Sequence, residues 1–180
     1  MADAGLDTVG AVRAPSRKWT FGLIVISSLL FIVVLAVSAA FDSSIRVLHT
    51  FQALIYVAVI LLARKMSPWG YGAGCFIAAF WNWANIAYTD FLRAGISETA
   101  QLLGTGHLER PDLFIAVFAA GAHFILIGAC LAGYFQMPSR TRTELLKFLG
   151  GGCVAIAYFA GIILLFGQQF IWILKAFVGS

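Results

Sequence analysis

The sequence predicts an all-α integral membrane protein with five transmembrane helices, its amino terminus cytoplasmic and its carboxyl terminus exterior. Composition is the first of three observations behind this. The 180 residues are 61% hydrophobic and 11% charged, with a mean hydropathy of +0.92, whereas a soluble domain carries about 25% charged residues. The second is segregation of charge: the runs 20–41, 47–63, 66–89, 113–139 and 148–174 contain no Asp, Glu, Lys or Arg. About 20 apolar residues cross the hydrocarbon, so each run is near or above the necessary length. The third is the placing of the basic residues. Arg13, Arg17, Lys18, Arg64, Lys65, Arg140, Arg142 and Lys147 fall on one side, leaving Arg46, Arg93, Arg110 and Lys175 for the other. Cytoplasmic loops carry the excess of Lys and Arg, which sets the orientation. The net charge of +4 records that bias and gives no reason to expect a nucleic-acid partner.

Residues 1–18 read as a flexible cytoplasmic tail, small, polar and without periodicity. The remainder, 19–180, is one transmembrane domain with spans near 20–41, 46–64, 68–91, 112–136 and 150–175 and an exterior loop over 92–111. The first span is too long for the apolar part of a signal peptide, despite the small residues from Ala36 to Ala40. A short turn, Asp42 to Ile45, joins it to span two, where His49, Gln52 and Tyr56 share one face. Ser67 and Pro68 supply a cap and a first-turn proline for span three. In the long loop, Ser97 to Leu103 reads as a short helix stopped by Gly104. Pro111 then starts span four, whose Ala116, Ala119, Ala120, His123, Cys130 and Tyr134 lie on one side. Thr141 and Glu144 have capping-box spacing before the last helix. Gly150, Gly151 and Gly152 predict a bend in that helix, and Cys153, Ala157 and Gly161 a small-residue packing seam beyond it.

The stretch from Gly70 to Leu92 organises the bundle. Gly70, Gly74, Ala78, Asn82, Asn85 and Thr89 fall within one third of the helix circumference, so small residues and amides face other helices. Phe76, Phe80 and Trp83 point the other way, toward lipid on this reading. Counting along the helices from the exterior charges puts His49 about 5 Å deep, Gln52 and Asn85 about 8 to 9 Å, Asn82 about 12 Å and His123 about 16 Å. Gln168 lies near 10 Å by the same count. His49, Gln52, Asn82, Asn85, His123 and Gln168 therefore define a candidate polar pocket in the exterior half, able to take a small polar or amphipathic ligand. The competing reading is a set of interhelical hydrogen bonds that hold a scaffold together.

No cofactor is specified. His49 and His123 differ in depth by roughly 11 Å, a poor match to two axial haem ligands. Cys75, Cys130 and Cys153 sit on three helices without paired spacing and read as small packing residues, so no metal site is expected. Asp90, Glu98, His107, Glu109 and Asp112 belong to a loop that solvation alone explains. No HExxH, GxSxG or GxxxxGK[ST] motif occurs, and no span carries paired carboxylates. These features favour an accessory or scaffold subunit of a membrane complex, one that associates with protein partners or with itself in the bilayer. A transporter or channel for a small solute and a membrane enzyme or redox protein are the alternatives. The expected location is the inner, plasma membrane of a bacterial-type cell.

Overall fold

The computed structural model describes residues 16–179. Most of the expected tail, residues 1–15, lies outside them. The described residues form seven α-helices: α1 (Arg17–Phe41), α2 (Arg46–Arg64), α3 (Pro68–Ala87), α4 (Phe91–Thr105), α5 (Pro111–Phe135), α6 (Arg142–Phe166) and α7 (Ile171–Val178). No strand occurs among them. Four segments, Arg17–Phe41, Ser43–Arg64, Pro111–Phe135 and Arg142–Phe166, are long and apolar enough to cross a membrane, as the helices of a multi-pass membrane protein must be. The 20-residue α3 is not one of these four, because its glycines, tryptophans and two asparagines dilute its apolar content. Those same residues place it inside: Gly70, Gly74, Ala78 and Asn82 are all buried. α3 packs against α2, α5 and α6, while α1 packs against α2 and α5.

Local chemistry explains most helix ends. Asp42 turns the α1–α2 hairpin, its carboxylate accepting from the Ser44 amide at 2.8 Å. α2 closes in a Schellman motif: the Ser67 amide donates to the Leu62 carbonyl and the Met66 amide to that of Ala63. This requires a left-handed residue at Met66, where φ is 52°. Pro68 then opens α3, although Ser67 makes no side-chain cap bond. The Thr141 hydroxyl accepts from the Glu144 amide at 3.3 Å, as the capping-box spacing predicts.

Several expectations are corrected. α3 ends at Ala87, short of residue 91, and the loop helix spans Phe91–Thr105, well beyond 97–103. Gly95 sits inside α4 as a contact point, since a Cβ there would meet the Leu113 carbonyl oxygen at 2.7 Å and the Ala116 Cβ at 2.8 Å. The helix ends at Gly106, with φ 71°, and runs through Gly104. The triple glycine makes no break: α6 is continuous from Arg142 to Phe166. Gly72 lies against the backbone of Phe148 and Gly151 against that of Trp69, so these glycines let α3 and α6 cross at backbone contact. The interruption comes later, at Gly167, followed by a 3-10 turn over Gln168–Phe170. Cys153 and Ala157 are exposed and a Cβ at Gly161 would meet nothing, so the expected seam is not the packed one. The aromatic side of α3 does not face lipid either. Phe80 is buried with its ring 5.7 Å from Phe159 and 5.0 Å from Phe177, and Trp83 lies 5.3 Å from Phe177. Phe76 stacks edge-on to Phe148 and covers Gly152.

Candidate functional site

The polar residues of the expected pocket divide into an interior set and a peripheral set. His123 is fully buried on α5, on the small-residue face that the sequence assigns inward. Its Nε2 is 2.7 Å from the hydroxyl of Tyr56, itself fully buried on α2. Three rings enclose the imidazole: Phe31 of α1 at 3.9 Å between centroids, Trp81 of α3 at 4.8 Å and Tyr56 at 5.6 Å. Four helices thus meet at one histidine. Its Nδ1 finds no hydrogen-bond partner among the described residues. Whichever nitrogen holds the proton, one ring nitrogen is left without a protein partner.

Asn82, 4% exposed, is the second interior group, and both atoms of its amide are buried without a protein partner. The fully buried Ser28 hydroxyl of α1 is in the same condition. Gln52 is buried on the inward face of α2. Buried polar groups are normally hydrogen-bonded, and in hydrocarbon an unpaired one costs several kcal/mol. The interior therefore concentrates unmet hydrogen-bonding capacity on α1, α3 and α5.

The peripheral set is accounted for locally. His49 Nδ1 lies 3.1 Å from the Leu35 carbonyl and ties α2 to α1. Asn85 donates to the Trp81 carbonyl at 2.9 Å and accepts from the Thr89 hydroxyl at 3.0 Å, both within its own segment. Gln168 is exposed in the turn after Gly167. The ring cage of Phe31, Tyr56 and Trp81 is absent from the expected site residues. Depth supplies a signal for Tyr56: ten residues beyond Arg46 is about 15 Å, level with His123 by the same ruler. Phe31 and Trp81 carry no comparable signal.

Two of the cavities formed by the described residues lie elsewhere. An apolar cleft of about 340 Å³ opens between α2, α3 and α6, with Ala58, Ala73, Gly151 and Ala155 as its small residues and Leu54, Trp69 and Tyr158 among its large ones. The Tyr158 hydroxyl donates to the Phe51 carbonyl at 3.0 Å, linking α6 to α2 beside it. The other cavity, about 290 Å³, lies where the ends of α1, α2, α3 and α5 converge and is lined by Arg17, Lys18 and Arg64 among others. No family model matches the chain, and no curated protein or solved structure shows significant similarity to it.

Proposed function

We propose that this protein is an accessory or scaffold subunit of a membrane complex, built as a five-span bundle with the amino terminus on the cytoplasmic side and α3 as the fifth span. The 20 residues of α3 correspond to about 30 Å of helix, and its Gly70 and Gly74 lie against α2 and, for Gly74, also α5. The basic ends of α1, α2 and α6 support the orientation. The observation that carries the functional reading is the cleft between α2, α3 and α6. Without a hydrophobic drive between helices, association in a bilayer depends on close fit, and small residues at a lipid-facing surface admit the side chains of a neighbouring helix. A transmembrane helix of a partner chain, or of a second copy, is the occupant that this shape and chemistry suit. Ala58 is exposed and lines the cleft, so Ala58→Trp fills it without touching the core. Wild-type protein extracted in mild detergent should co-purify in stoichiometric assembly, and Ala58→Trp should lose the partner. Retention of the same assembly by the variant contradicts the use of this face.

A second reading, a path for a small polar solute, is favoured by the unpartnered atoms of Asn82 and His123. On that reading Asn82→Leu and His123→Leu abolish solute flux into vesicles. Flux unchanged by both removes it.

A further inference from the structure

Arg17 and Lys18 open α1, and Arg64 and Lys65 close α2 and its turn. Antiparallel packing of these helices brings three of the four cations, Arg17, Lys18 and Arg64, to the wall of one cavity of about 290 Å³. Among the described residues no carboxylate lines it. Among the described residues none of the three cations has an ion pair, whereas Lys147, at the start of α6, is held by Glu144 at 2.8 Å. The floor is polar and ordered: the buried Thr20 hydroxyl accepts from Gln136 Nε2 at 3.0 Å, and Tyr71 of α3 stands beside them.

The helix ends around the cavity also favour an anion. α1 begins without a side-chain cap bond from Ser16 and without an acidic residue in its first turn, so neither of these offsets its positive end. The opposite charge expected at the end of α2 is muted, because the amides of Ser67 and Met66 bond the Leu62 and Ala63 carbonyls in the turn whose left-handed residue, Met66, lines the cavity. Depth identifies the kind of anion. Thr20 lies two residues inside the last charge before the apolar run of α1 and Ala63 is the last uncharged residue of α2, and both line this cavity. The cavity thus sits at the level where hydrocarbon gives way to charge, the level of lipid phosphates, and Phe21 adds an apolar wall. Basic pockets between membrane helices are suited to anionic headgroups.

We propose that this cavity binds the phosphate of an anionic phospholipid, with Arg17, Lys18 and Arg64 as its charged contacts. The proposal does not depend on the scaffold reading, which concerns the opposite flank of α2. It is tested with the full-length protein in nanodiscs of phosphatidylcholine containing graded phosphatidylglycerol, followed by native mass spectrometry of retained lipid. The expected result is preferential retention of phosphatidylglycerol, reduced about fivefold by each of Arg17→Gln and Arg64→Gln. Lys147→Gln, which removes a cation at the start of α6 outside the cavity, should leave retention unchanged. Equal retention of both lipids by the wild type overturns the proposal. So does an equal loss in all three variants, which would mean diffuse surface charge, and so does displacement of the lipid by inorganic phosphate at millimolar concentration, which would assign the site to a soluble anion. Because lipid preference is read on the unaltered protein, misfolding of a variant does not shield the proposal.

Discussion

At the scale of single residues, the bundle is organised by a histidine that four helices surround. The hydroxyl of Tyr56 provides the hydrogen bond His123 makes, at 2.7 Å. Tyr56→Phe removes it and leaves both imidazole nitrogens unpaired in a sealed interior, at a cost of about 1–3 kcal/mol in reversible unfolding. Replacing both partners, Tyr56→Phe with His123→Leu, should cost less than the sum of the single changes, since the second removes the group stranded by the first. Additive costs would mean that the pair does not act as a unit. Met66 is the other strained position, a non-glycine residue at φ 52°. Met66→Gly should raise stability by about 1 kcal/mol, read as a higher unfolding midpoint. The inward face of α2 was legible because His49, Gln52 and Tyr56 repeat at helical spacing. The pairing of Tyr56 with His123 was not, because spacing orders residues on one helix and says nothing of which helix lies opposite. Asn85 shows the same limit: it shares the face of Asn82 by periodicity, yet nearby Trp81 and Thr89 satisfy it.

Between elements, glycine pairs decide how close the helices come. Gly72 and Gly151 each face the partner's backbone, which no rotamer change can move, so Gly72→Ala and Gly151→Ala should separate α3 from α6 and destabilise the bundle. Gly161→Ala is the contrast: a Cβ there meets nothing. It should be neutral or stabilise by up to about 1 kcal/mol through helix propensity alone. Thermal unfolding of the three variants side by side checks the difference. The triple glycine stood out in the sequence, but glycine permits both bending and close approach, and only the presence of Trp69 and Phe148 across the interface distinguishes them. Caps fared better, since Thr141 and Glu144 act within one turn of chain. On the loop side, Arg110 bonds the Asp112 carboxylate with both Nε and a terminal nitrogen, at 3.0 and 2.7 Å. Asp112→Asn removes the charge from that contact and should loosen the start of α5, seen as faster amide exchange there.

For the whole molecule, composition and charge segregation were enough to predict a helical membrane protein, and four helices meet the length and apolarity of a span. α3 is where composition becomes a poor guide. A helix enclosed by other helices need not be apolar to lipid, so its glycines and asparagines lower its hydropathy while burial keeps them inside. Of the residues expected to share a pocket, Gln52, Asn82 and His123 are buried, whereas His49 bonds the Leu35 carbonyl and Gln168 is exposed after a helix break, neither of which helical spacing encodes. The molecule offers two surfaces, an apolar cleft on one flank of α2 and a basic cavity at one end of the bundle. Whether this protein works by holding a partner helix is read by native mass spectrometry of the protein released from its own membrane. The expected spectrum shows a fixed-stoichiometry assembly with another membrane polypeptide or with further copies of this chain, collapsing to monomer in Ala58→Trp. A lone monomer under every gentle extraction would contradict it.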